Sequence, residues 1–279
     1  MNECFGRKFI LNGELQPSEL FDNSMVYEGE SIYEVLRIIK GFPVFFNDHM
    51  ERLEASTRFQ KKASLADSVR LRLDIMKLLK TDKRKEINLK IVFNYNEGRA
   101  SYLVYFIEPI YPSGEQYRKG VKGVLFHAER KDPESKVINH RLRSSIYHKL
   151  ILEGAYEALL VNDQGCVTEG SRSNIFFLRD ETLYTAPDSV VLNGITRKYI
   201  IDICGENGIK IIYMCVPVDE IQSFDAVFMT GTSPMVLPFY QVDTFNYNVG
   251  LPLIDGLRKL YTLKAMESIR HFMLNCDLL

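Results

Sequence analysis

The polar stretch YPSGEQYRKG, Tyr111 to Gly120, divides a chain otherwise built of short apolar runs and helical patterns. Pro112, Ser113, Gly114 and Gly120 cluster there with charges between two apolar strands, a composition that marks a domain boundary. The sequence therefore predicts an N-terminal α+β domain over 1–112, a linker over 113–120 and a C-terminal α/β domain over 121–279. The length of 279 residues agrees with two domains at about 150 residues each.

Before the boundary, KFILNGEL contains an Asn12-Gly13 pair and reads as strand, tight turn, strand. Residues 31–39 and 42–46 flank Gly41 as another ribbon. Residues 48–60 carry Met50, Leu53 and Phe59 at helical spacing, 65–79 form a longer helical pattern, and INLKIVFNY and SYLVYFIEP read as an antiparallel pair. After the boundary come a strand over 121–126, a charged loop, a helix over 144–153 and a series of short strands. Helices follow at 196–206, stopped by Asn207-Gly208, and at 253–270.

Hydrophobic residues at 46% and charged residues at 25% are an ordinary globular balance, which excludes a disordered tail or a coiled-coil rod. Thirty-five Lys and Arg against 36 Asp and Glu leave a net charge of −1, so no global field favours nucleic acid or an anionic membrane. Any anion must be held locally. Cys4, Cys166, Cys204, Cys215 and Cys276 are dispersed without a C-x-x-C pair, which argues against a disulfide framework or a structural zinc. The opening MNECFGRKF has no apolar core, and no run approaches the roughly 18 apolar residues of a membrane span. The expected compartment is reducing and cytoplasmic. The histidines lack metal spacing and no G-x-S-x-G elbow occurs, so no metal and no hydrolase chemistry is expected.

Four segments carry possible chemistry. In LNGITRKYIIDICGENG an Asn193-Gly194 turn runs into a helix beginning at Ile195 and Thr196, whose backbone N–H groups and hydroxyl suit an anion, though Thr is equally an ordinary N-cap. In VTEGSRSNIF, Glu169 sits where a strand breaks at Gly170; such a carboxylate is usually a surface group. His49 and Arg52 share one helix face and suit a phosphate, while Arg52 is also placed to pair with Asp48. Lys136, in the charged loop AERKDPESK, is a solvated lysine unless its surroundings make the free amine available to a carbonyl.

Read in order, H-x-x-R-L, K-x-x-N, T-E-G-S-x-S-N, N-G-I-T-R and the GTS turn at Gly231 to Ser233 resemble the class IV, or fold-type IV, aminotransferases, from about Gly13 to Val242. The resemblance implies an α+β fold of two α/β domains with pyridoxal 5′-phosphate (PLP) between them. It implies Lys136 as the Schiff-base lysine, eighteen residues before Gly154 of GAYEALL, and Glu169 against the pyridine nitrogen. Arg52, the N–H groups of Ile195 and Thr196, and Thr232 would surround the phosphate, with Leu192 on the ring face. Tyr33, Gly231, Thr232, Ser233 and Arg99 would meet the substrate carboxylate, and a homodimer is the implied assembly.

The implied reaction is ping-pong transfer of an amino group from a small amino acid, branched-chain donors included, to a keto acid. Aminodeoxychorismate lyase-type elimination is the alternative, and a non-catalytic dimeric binding homologue the second. The usual acid after the GT turn is absent, with Pro234-Met235 in its neighbourhood, and the opening segment departs from the family pattern Y-G-x-G-[VF]-[FY]-E. Glu28-Gly29-Glu30-Ser31-Ile32-Tyr33-Glu34 lacks the leading tyrosine and the second glycine. The loop GRAS also lacks the histidine of the D-amino-acid enzymes, which weakens that assignment.

Overall fold

A strand apolar along its whole length needs cover on both faces, because successive side chains point to opposite sides. The computed structural model describes residues 2–130 and 132–276, the side chains of His140, Asn275 and Cys276 apart, and it divides into two compact units. The first holds the chain up to Ile110, Ser135–Ile138 and the stretch from Ala265. The second holds Tyr111–Glu134 and Asn139–Lys264.

The first unit runs β1 (Lys8–Leu11), β2 (Glu14–Pro17), α1 (Ser24–Tyr27), β3 (Glu30–Ile39), β4 (Phe42–Pro43), α2 (Phe46–Phe59), α3 (Ser68–Leu79), β5 (Ile87–Asn96) and β6 (Arg99–Ile107). Its strands form one antiparallel sheet in the order β2-β1-β6-β5-β3-β4. Asn12 and Gly13 both take positive φ, 50° and 85°, as a two-residue hairpin turn of the primed type demands. Ile87, Leu89, Ile91 and Phe93 of β5 pack with Leu53, Ile75 and Leu78 of α2 and α3. Val92, on the other face, joins Phe9, Tyr33, Leu103 and Tyr105 in a second core. Lys90 is buried on that same face.

The second unit contains α4 (Gly114–Lys119), β7 (Val121–His127), α5 (His140–Glu153), β8 (Glu157–Val161), β9 (Cys166–Gly170), β10 (Asn174–Arg179), β11 (Thr182–Thr185), α6 (Ile195–Glu206), β12 (Ile211–Tyr213), β13 (Val216–Pro217), β14 (Ala226–Gly231), β15 (Met235–Val242) and β16 (Phe245–Asn246). The helix α7 (Pro252–Cys276) starts there and ends in the first unit. A mixed sheet runs β12-β11-β10-β14-β15-β7-β8-β9-β13, with β16 on β15. The pairs β11–β12, β7–β15 and β7–β8 are parallel.

Three expectations change. The predicted linker is largely helical: Ser113 caps α4, its hydroxyl taking the Gln116 N–H while the Gln116 side chain returns to the Ser113 N–H. The helix predicted from 144 begins at 140, because the Asn139 side chain accepts from Leu142 N at 3.1 Å. Lys136 belongs to the first unit rather than to the C-terminal domain. Val137 bridges Ile32, Tyr33 N donates to the Lys136 carbonyl at 3.0 Å, and Ile138 N donates to the Ser31 carbonyl at 3.1 Å.

Cys4, Cys166, Cys204 and Cys215 carry free thiols; the Cys276 side chain lies outside the described residues. Among the described residues no helix is long and apolar enough to cross a membrane.

Candidate active site

Lys136 is half-buried on the edge of β3, its backbone N–H donating to Ser56 Oγ of α2 at 3.2 Å. Its Nζ stands 5.3 Å from the centroid of the Tyr33 ring. Tyr33 is 9% exposed, so an amine lies on a nearly buried aromatic face, where the ring quadrupole attracts a cation.

The next residue of β3, Glu34, points to the opposite face and is fully buried. Arg52 of α2 grips it as a fork, Nε to Oε1 and Nη2 to Oε2, both at 2.7 Å. His49 Nδ1 lies 2.7 Å from Oε2. The helical spacing that placed His49 and Arg52 on one face thus serves Glu34, with which Arg52 forms an ion pair at 2.7 Å. Burial alone would raise the Glu34 carboxyl. The charges of Arg52 and Lys136, with hydrogen bonds from Arg52 and His49, hold it well below the usual carboxylate range. Burial lowers His49, against the opposing pull of Glu34.

The altered segment before Glu34 is accommodated locally. Ser31, where the family pattern has glycine, donates its hydroxyl to the Val26 carbonyl at 2.7 Å and accepts from Asn94 Nδ2 at 2.9 Å.

In the second unit Glu169 is 2% exposed, at the end of β9. Its Oε1 accepts from Arg130 Nε at 2.7 Å and its Oε2 from Leu192 N at 3.2 Å. It is a buried, cation-paired carboxylate and not the surface group that local sequence favours. The half-buried Leu192 is fixed from its other side by Asn174 Nδ2, which donates to its carbonyl at 2.8 Å.

Helix α6 opens at Ile195 with Gly194 as N-cap and no side-chain cap. A Cβ on Gly194 would stand 2.1 Å from Asn174 Oδ1, so the room left by this glycine is filled by Asn174. Thr196 is not the N-cap. It is buried inside the first turn, its hydroxyl 3.1 Å from that of Tyr261. The first N–H groups of a helix lack intrahelical acceptors and carry its positive end, so this tip suits an anion.

Gly231, Thr232 and Ser233 form the turn between β14 and β15, where Gly231 pairs with Met235. Thr230, one residue earlier, registers against Asn174. Glu169, Leu192, Asn174 and the GTS turn are therefore linked through neighbouring strands. Arg99 stands apart from Tyr33. It is exposed opposite Asn96, whereas the row of Tyr33 continues through Val92 to Leu103, four residues or about 13 Å along the strand.

The sequence reading left two residues unassigned. Glu34 has a signal: an acidic residue between Ile32 and Leu36 on a buried strand face demands a cation. Arg130 lies in the charged loop with nothing local to distinguish it from its neighbours. Among the described residues no group of His, Cys, Asp and Glu is arranged to hold a metal.

Residues 31–242 match the family model described as amino-transferase class IV. The chain is 27% identical over 235 residues to D-alanine aminotransferase of Bacillus licheniformis, covering 80% of this chain and 83% of that protein. It is 23% identical over 267 residues to aminodeoxychorismate lyase of Bacillus subtilis, covering 90% of each. The branched-chain aminotransferase of Thermoproteus uzoniensis, solved with norvaline, has the same fold with a TM-score of 0.82, 22% identity and coverage of 95% of this chain and 97% of that one. A match spanning most of the chain, on a fold of this type, makes the protein a member of the class IV aminotransferases.

Proposed function

We propose that this chain is a PLP-dependent aminotransferase that moves an amino group from a small amino acid, branched-chain donors included, to a keto acid. The observation that carries the reading is the setting of Lys136, an amine held on the Tyr33 ring within reach of the charge of a buried, Arg-gripped carboxylate.

The residues present suit the cofactor. Thr230 Oγ1 is buried without a hydrogen-bond partner among the described residues, just before the GTS turn. Glu169 is a buried carboxylate that already carries a cation. The α6 tip offers backbone donors and has no side-chain cap in competition.

PLP, when bound, supplies an aldehyde and an electron-withdrawing ring. In this reading Lys136 Nζ would hold the cofactor's aldehyde and, as a free amine, would carry a proton from the substrate α-carbon. Arg52, the N–H groups of Ile195 and Thr196, and Thr232 hold the phosphate. Leu192 would lie against the ring and Glu169 would address the ring nitrogen. Tyr33 with Gly231, Thr232 and Ser233 receives the substrate carboxylate. Arg99, exposed at a hairpin turn, would serve another subunit's site in a homodimer. The first keto acid leaves before the second takes up the amino group, so the kinetics would be ping-pong.

Protein loaded with PLP should be yellow, with a visible band that shifts on adding an amino donor. Lys136→Ala should abolish both the shift and the turnover; full turnover by that variant overturns the reading. A second reading is favoured by the lyase relative that aligns over 90% of this chain. Release of pyruvate without an added keto acid would select elimination, and dependence on the keto acid selects transfer.

A further inference from the structure

Lys90 is a lysine in the interior of the first sheet. Only 2% of its side chain is exposed, and its Nζ donates to Glu3 Oε1 at 2.6 Å. Three tyrosine rings surround that nitrogen, with centroids at 5.2 Å for Tyr33, 5.7 Å for Tyr27 and 5.8 Å for Tyr105. The phenols of Tyr27 and Tyr105 donate to the second oxygen of Glu3, at 2.7 and 3.1 Å. One ammonium and two hydroxyls therefore grip a single carboxylate, a donor set that satisfies both its oxygens.

Burial alone would raise the Glu3 carboxyl. The charge of Lys90, with hydrogen bonds from Lys90, Tyr27 and Tyr105, brings it below its ordinary value, so the cage favours an anion. Stability is a poor reason for such a pair, since apolar residues of similar volume commonly replace buried ion pairs without loss.

Two features connect this cage with substrate. Glu3 keeps 22% of its side chain exposed, so the occupant of the cage reaches solvent although Lys90 does not. Lys136 Nζ lies against the same Tyr33 ring as Lys90 Nζ, at 5.3 and 5.2 Å from its centroid, which puts the two nitrogens within about 10.5 Å of each other. That separation is within the span of an amino acid and its carboxylates.

We propose that Lys90, Tyr27 and Tyr105 form a binding site for a carboxylate of the amino- or keto-acid substrate, and that Glu3 is its internal occupant, displaced when substrate arrives. The proposal rests on Lys136 being the reacting amine. Lys90 then supplies the cation that Arg99 is too far along the strand to offer within the same subunit.

The test measures binding of two unreactive acids, isovalerate and glutarate, to the cofactor-loaded protein by calorimetry and by the thermal midpoint, with chloride at matched ionic strength as control. Glu3→Gln removes the competitor and should tighten binding about tenfold or more; Lys90→Met should weaken it by a similar factor. A response to isovalerate assigns the cage to the α-carboxylate. A response to glutarate alone assigns it to a second, side-chain carboxylate. If Glu3→Gln lowers stability, either acid should restore its midpoint and chloride should not. Equal affinities in wild type and both variants, with no such restoration, overturn the proposal and leave a structural ion pair. Binding of unreactive acids needs no turnover, so a failure here is distinct from a Lys136→Ala variant that stays active.

Discussion

Glu34 accepts both arms of the Arg52 guanidinium, Nε to Oε1 and Nη2 to Oε2, each at 2.7 Å. The fork joins strand β3 to helix α2 and faces Arg52, the proposed phosphate ligand, with a fixed acceptor.

Glu34→Gln should therefore be severe. The amide leaves Arg52 with one carboxylate-like oxygen in place of two and strips the charge that balances it in a fully buried site. We expect a loss of about 3–5 kcal/mol, the usual cost of breaking a buried pair from one side, together with weaker retention of PLP. Urea unfolding and dialysis against cofactor-free buffer measure the two effects. A variant within about 0.5 kcal/mol of wild type would contradict the assignment.

His49 makes stability depend on pH. Burial lowers its folded-state value from 6.5, so the unfolded chain takes up a proton that the folded chain refuses. This contribution is level above the ordinary value and costs stability as pH falls below it. Denaturation midpoints between about pH 7.5 and 5.5 should fall for wild type and be flatter for His49→Gln. Parallel slopes would show that His49 does not carry the effect.

Gly194→Ala should be costly although the backbone there is ordinary, with φ −66°. The added Cβ would stand 2.1 Å from Asn174 Oδ1, and the overpacking should cost about 1–3 kcal/mol while shifting the α6 tip. Asn174→Ala should recover part of that loss in the double variant. Strict additivity of the two losses would show that the contact is not the cause.

Glu169→Gln should reduce transamination by about a hundredfold, because a neutral amide no longer favours a proton on the ring nitrogen. The protein should remain folded, since the amide oxygen can still accept from Arg130 or Leu192. Near-ultraviolet circular dichroism checks the fold, and single-turnover absorbance checks the chemistry. Unchanged half-reaction rates would remove Glu169 from the proposed site.

Several features were open to local reading. Asn12-Gly13 dictates a primed hairpin turn, and the 3.6-residue period sets His49 and Arg52 on one face of α2 before any partner is known. The start of α6 follows from Asn193-Gly194 and its stop from Asn207-Gly208, where Gly208 takes φ 67°. The family motifs selected Lys136 and Glu169 from among many lysines and acids, which composition alone does not do.

Tertiary structure decided the partners. A period of two places Lys90 and Glu34 each on one face of a strand, but which face meets tyrosines and which meets α2 depends on elements far along the chain. Arg52 finds Glu34 18 residues away, Lys90 finds Glu3 87 residues away, and Glu169 finds Arg130 39 residues away. Backbone sterics and hydrogen bonding act over a few residues and so are written locally. The attraction between buried charges acts through space and is determined only once the chain has closed around them.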